Sequence, residues 1–166
     1  MTILGVDPGI ARCGWGIVEQ RAKSKELRVQ SYGCIETDTK SSLPQRLKKI
    51  YQELAKIIAG NKPSCLAVEE IFFARNVKTA LTVGQCRGVI LLAAAERNIP
   101  VFEYTPLEVK QALTGYGRAE KREVERMVGL SLNLSKLPKS DDEVDALAIA
   151  LCHFYSEKIK SRIKHE

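Results

Sequence analysis

The sequence predicts an α/β fold: one mixed five-stranded sheet with helices on its faces. Three features carry that expectation. Short, β-branched apolar runs alternate with longer stretches of helical period. The connections between the first three runs are too short for a crossover, which makes those strands an antiparallel meander. Each later strand is separated from the last by a helix-length segment, which implies a parallel neighbour. At 166 residues the chain is long enough for one domain with a real core. We place that domain at 1–155 and leave 156–166 as a basic C-terminal tail.

The first strand is the apolar run Ile3-Leu4-Gly5-Val6, which ends at Asp7-Pro8-Gly9. A short loop carrying Arg12 leads to a second strand over 13–18, and a polar turn over 19–26 to a third over 27–35. From 41 to 59 apolar residues recur at three and four, giving an amphipathic helix that ends at Gly60. The run Cys65-Leu66-Ala67-Val68-Glu69-Glu70 is the fourth strand, expected beside the first.

A long helix over 77–98 is apolar on more than one face and has small residues at Gly84 and Gly88. It is either buried on two sides or holds a subunit interface. Val101-Phe102-Glu103-Tyr104 is the fifth strand. Thr105-Pro106-Leu107-Glu108 then opens a capped helix carrying Lys110. The loop Gly115-Tyr116-Gly117-Arg118 leads into a basic helix with Lys121, Arg122 and Arg126. The last helix opens at Ser140-Asp141-Asp142-Glu143, another capping box, and runs through Phe154.

Composition narrows the function. A formal net charge of +6 suits a polyanionic partner. Five cysteines without a CxxC pair or zinc-like spacing are expected to be reduced and buried. No run is long enough to span a bilayer, and the start lacks the basic and apolar segments of a signal peptide. A soluble, cytoplasmic protein with no membrane contact is expected.

The chemistry is in the acids. A carboxylate closing a buried strand is costly unless a cation or hydrogen-bond donors compensate it. Asp7 therefore either caps the Pro8-Gly9 turn or binds a metal together with other acids. Glu69 and Glu70 end the strand expected beside it. They point to opposite faces, so at most one can share a site with Asp7, and the apolar run before them does not choose between them. At the last helix, Asp142 with Asp145, or Asp141 with Asp145, lie on one face. Acids in a first turn also simply complement the helix dipole; Asp145, a turn further in and beside an apolar stretch, fits that less well. Carboxylates from separate segments, without His or Cys at ligand spacing, suit Mg²⁺ or Mn²⁺. His153 lies about 12 Å along the helix from Asp145 at about 1.5 Å per residue and is expected at the surface or in packing. Hard metals, a basic surface and an α/β sheet together point to phosphodiester cleavage.

These motifs resemble the RuvC family of Holliday junction resolvases, within the RNase H-like superfamily. The resemblance is carried by Gly5-Val6-Asp7-Pro8-Gly9, Ala67-Val68-Glu69-Glu70-Ile71-Phe72, Gly84-Gln85-Cys86-Arg87-Gly88, Val109-Lys110-Gln111, Ala119-Glu120-Lys121 and Asp142-x-x-Asp145-Ala146-Leu147-Ala148. It implies that Asp7, Glu69, Asp142 and Asp145 hold Mg²⁺, with Mn²⁺ substituting and two ions per subunit. Some members carry His at the position of Asp142; here four carboxylates stand together.

By the same resemblance Lys110 and Lys121 assist catalysis, and Phe72 stacks on or unpairs bases near the junction centre, with Phe73 expected in the core. Arg75, Lys78, Arg118 and Arg122, with both lysines, are expected to contact DNA. The implied activity is paired, symmetric nicking of two like-polarity strands of four-way junction DNA in recombination and repair. The implied assembly is a homodimer working with the RuvA and RuvB branch-migration complex. Rival readings are another RNase H-like nuclease, a non-catalytic junction-binding module and an actin-like ATP-binding fold.

Overall fold

The computed structural model describes the backbone of residues 1–21, 26–70 and 77–163, and the side chains of 1–21, 26–70 and 80–158. Strands β1 (Thr2–Asp7), β2 (Arg12–Gln20) and β3 (Leu27–Glu36) are followed by helix α1 (Leu43–Asn61), β4 (Cys65–Glu69), α2 (Val77–Ala95) and β5 (Val101–Tyr104). Helices α3 (Pro106–Thr114), α4 (Lys121–Ser131) and α5 (Asp141–Ile163) complete the order. The sheet order is β3-β2-β1-β4-β5. β1–β2 and β2–β3 pair antiparallel, β1–β4 and β4–β5 parallel, as the connection lengths require.

Each face of the sheet has its own core. Leu4, Val6, Leu66 and Val68 point toward α1 and α2 and pack on Ile50, Leu54, Cys86 and Ile90. Ile3, Cys65 and Ala67 point the other way, toward Leu147, Ala150 and Leu151 of α5. Strand parity carries Asp7 and Glu69 to the α5 face as well, because each lies an even number of residues from Ile3 and Cys65 respectively.

Helix α5 lies directly on the backbone of β1 and β2. A Cβ on Gly5 would overlap the Ala146 carbonyl, and one on Gly14 would overlap the carbonyl of Asp142. These two glycines let the start of α5 settle over the end of β1.

Several boundaries differ from expectation for local reasons. α1 runs through Gly60 to Asn61; its left-handed cap is Lys62 (φ 47°), and Pro63 follows. α2 stops at Ala95, and the chain reverses through a turn with Asn98 at φ 54°. α5 continues to Ile163, so the expected boundary at 155 falls within a helix. The α3 capping box forms between Thr105 and Glu108.

The α5 box forms in part. Glu143 accepts the Ser140 N–H at 3.4 Å, while the Ser140 hydroxyl donates to Asp142 Oδ2 at 2.9 Å. His153 is in the core, against Phe102 and bonded to the Tyr104 hydroxyl at 2.8 Å. All five cysteines are free thiols, and four are buried. No helix among the described residues is long and apolar enough to cross a membrane.

Candidate metal-dependent nuclease site

The site is where the carboxyl ends of β1 and β4 meet the start of α5. The β1–β4 register ends at Val6 opposite Val68, so Asp7 and Glu69 stand one residue further on, side by side on the α5 face. Glu70 belongs to the opposite parity, and its N–H donates to the Tyr104 carbonyl at 2.8 Å. Strand parity in the sequence left Glu69 and Glu70 open and the resemblance favoured Glu69; the register puts Glu69, and not Glu70, on the face that Asp7 shares.

Asp7 and Glu69 are half-buried, and among the described residues no cation pairs with either. Burial, then the neighbouring charges of Glu69, Asp145 and Asp142, push the Asp7 carboxyl up to about 7. Burial and Asp145 push Glu69 up as well. Removing a carboxylate from water and surrounding it with others favours the neutral acid unless a cation arrives.

At the start of α5 the acids are already partnered. Asp142 Oδ2 accepts from Arg12 Nε at 2.6 Å and from the Ser140 hydroxyl. Burial would raise the Asp142 carboxyl, but these two hydrogen bonds and the Arg12 charge outweigh it and hold the group below its ordinary value. Lys121 Nζ lies 2.8 Å from Asp141 Oδ2 and 3.7 Å from Asp145 Oδ2. Burial outweighs Lys121 at Asp145, whose carboxyl is raised.

A cleft of about 250 Å³ is lined by Glu69, Lys110, Lys121 and Asp145, with Val109, Val124 and Ile149 among its apolar walls. Both lysines therefore converge on two of the acids. Arg118 and Arg122 are exposed nearby in sequence but do not line this cleft. Phe72, Phe73 and Arg75 lie outside the described residues, as does the side chain of Lys78. Arg12 is the component that sequence reasoning passed over; its only signal was a cation placed five residues after Asp7.

The donor set is carboxylate oxygen throughout, the kind hard divalent cations take. Among the described residues no three His, Cys, Asp or Glu side chains stand close enough to form a finished cage. Asp142 is turned to Arg12 and Ser140, and Asp145 toward Lys121. In kind and in charge the residues fit such a cation.

This sheet order, with acids closing its central strands and opening the last helix, defines an RNase H-like domain. The family model described as crossover junction endodeoxyribonuclease RuvC matches residues 3–153. A crossover junction endodeoxyribonuclease RuvC of Caldicellulosiruptor saccharolyticus is 49% identical over 156 residues, covering 94% of this chain and 93% of the relative. One from Alkaliphilus oremlandii is 49% identical over 164 residues, covering 99% of each. Among solved structures, Thermus thermophilus RuvC in complex with a Holliday junction substrate superposes with a TM-score of 0.91 at 36% identity, covering 96% of each chain. The chain belongs to the RuvC family.

Proposed function

We infer that this chain is a structure-selective endodeoxyribonuclease that resolves four-way junctions by metal-dependent nicking of two strands of like polarity, in recombination and repair. The observation that carries the reading is the pair Asp7 and Glu69, half-buried side by side, with no paired cation among the described residues and facing Asp142 and Asp145. The family membership and the Thermus complex support the substrate class.

In this reading Asp7, Glu69, Asp142 and Asp145 hold Mg²⁺, which Mn²⁺ can replace, with two ions per subunit. Bound there, Mg²⁺ would supply the Lewis acidity that lowers the pKa of an attacking water and offsets charge on the leaving 3′-oxygen. Lys110 and Lys121, in the cleft beside Glu69 and Asp145, hold the scissile phosphate and offset the charge that develops on it. Phe72, Arg75, Lys78, Arg118 and Arg122 extend the DNA contact beyond the cleft, where basic groups supply most of the affinity.

A single site nicks one strand, and resolution without flaps requires two matched cuts. A two-fold homodimer supplies them through symmetry shared with the junction. The interface we assign is the outer face of α2. Leu81 and Leu92 are 64% and 53% exposed, and between them Gly84 and Gly88 face open space. A second helix can approach closely along such a stripe. RuvA and RuvB are the partners that would bring branch migration to this dimer, in a cytoplasmic setting.

The test uses purified protein on a synthetic four-way junction, a duplex and an RNA–DNA hybrid, with Mg²⁺ or a chelator. Symmetric nicks on the junction alone, requiring Mg²⁺, are expected; preference for the hybrid would return the chain to a ribonuclease H-type activity. In the same assay, dimers mixing wild-type and Asp7→Asn subunits should nick one strand and rarely resolve.

A further inference from the structure

Arg12 opens β2, four residues after the Asp7-Pro8 turn, and its guanidinium bridges three elements. Nε donates to Asp142 Oδ2 at 2.6 Å, Nη2 to the Ser140 hydroxyl at 2.9 Å, and Nη1 to Glu36 Oε1 at 2.6 Å. Glu36 is the cross-strand partner of Arg12 in the β2–β3 register, so the outer anchor is set by the sheet. Ser140 closes the arrangement by donating to the same Asp142 oxygen. One carboxylate oxygen thus receives two donors, and a planar fork held at three points leaves Asp142 little rotational freedom.

We propose that Arg12 is a positioning residue for the metal site: by occupying Oδ2 of Asp142 it presents Oδ1 as the single oxygen offered to the cation. The proposal rests on Asp142 being a metal ligand. Its physical content is preorganisation. A carboxylate fixed before the cation arrives forfeits no rotamer freedom on binding, and outer partners of this kind commonly carry a tenfold to hundredfold share of metal affinity. Lysine at position 12 could reach one partner but could not bridge Asp142, Ser140 and Glu36 together.

The test is Mn²⁺ binding to the full chain without DNA, read by electron paramagnetic resonance. Arg12→Ala is expected to weaken Mn²⁺ binding about tenfold, and Arg12→Lys to recover part of the loss. In an Asp142→Asn background, adding Arg12→Ala should change the affinity less than about twofold, since the carboxylate it positions is gone. Glu36→Gln keeps Arg12 but releases its outer anchor and should weaken binding by a smaller factor, which preserves the test should Arg12→Ala fold poorly. Junction binding without metal should stay unchanged in every variant.

The outcomes separate cleanly. If Asp142→Asn leaves Mn²⁺ binding intact, the ligand assignment fails and the proposal with it. If Asp142→Asn weakens binding but Arg12→Ala does not, or strengthens it, only the positioning role is overturned. Loss of metal-free junction binding in Arg12→Ala without loss of Mn²⁺ affinity would make Arg12 a phosphate contact instead.

Discussion

The two halves of the site are built from the same side-chain chemistry and treated in opposite ways. At the strand ends, Asp7 and Glu69 are half-buried with no paired cation among the described residues, and both carboxyls are pushed up. At the helix start, Asp142 is bound by Arg12 and Ser140 and held down, and Lys121 stands beside Asp145. The strand ends are the electrostatically costly half, and only a bound cation offsets that cost. The helix start is the prepared half, where Arg12, Ser140 and the helix N-terminus stabilise Asp142 in advance, while Lys121 offsets only part of the burial that raises Asp145. In the proposed site the work would be separated: the strand ends would demand the metal and Asp142 would be held ready for it.

The comparison breaks most visibly in catalysis. Asp7→Asn, Glu69→Gln, Asp142→Asn and Asp145→Asn should each lower junction nicking on the order of a thousandfold or more, since each removes a ligand of the proposed metal site. Metal-free junction binding should change little, because phosphate contacts carry it. Glu70→Gln, on the opposite face, should remain active. Nicking rates and gel shifts on one four-way junction measure all five variants; an inactive Glu70→Gln beside an active Glu69→Gln would reverse the register argument.

Stability should separate Asp7 from Asp142 in sign. Asp7 takes up its proton near pH 7 when folded and near 3.8 when unfolded, so between these values the folded chain holds more protons. Without metal, stability therefore falls as pH rises through that window, by at most about 4 kcal/mol at about 1.4 kcal/mol per tenfold. Asp7→Asn removes that cost: the metal-free variant should melt above wild type at pH 8, and the gap should close toward pH 4. Asp142 behaves in reverse. Its depressed carboxyl contributes stability above its ordinary value, lost as pH falls through the folded one, so Asp142→Asn should melt lower at pH 8. Thermal melts in chelator at the two pH values read both signs.

How far this contrast was legible in the sequence depends on how local each part is. The five strands, the meander and the place of the fourth strand beside the first followed from run length and connection length, whereas the β4–β5 pairing came from the structure, and Asp7 was conspicuous as an acid closing an apolar strand. Parity between Glu69 and Glu70 was not readable from an all-apolar run; it needed the β1–β4 register. Arg12 was marked only by its place in a short loop, because its partners lie 24, 128 and 130 residues away. Gly5 and Gly14 stood out only as members of the first two strands, although they admit the start of α5. Helix ends moved by two or three residues where a left-handed Lys62 or Asn98 took the cap.

The smallest expected effect sharpens the prepared half. Lys121 faces both Asp141 and Asp145, and all three side chains are substantially exposed. Exposed pairs contribute at most about 1 kcal/mol, because water screens the attraction and ordering the long lysine chain opposes it. Lys121→Met should therefore shift the melting temperature only slightly, yet lower nicking on the order of tenfold to a hundredfold by removing the cation that the proposed mechanism sets beside the reacting phosphate. Asp141→Asn takes away the nearer partner at 2.8 Å and leaves Asp145 at 3.7 Å. If Asp141 only steadies Lys121, this variant should keep its melting temperature and most of its nicking rate. An Asp141→Asn loss as deep as that of Asp142→Asn would mean that the helix start offers its metal ligands at four-residue rather than three-residue spacing.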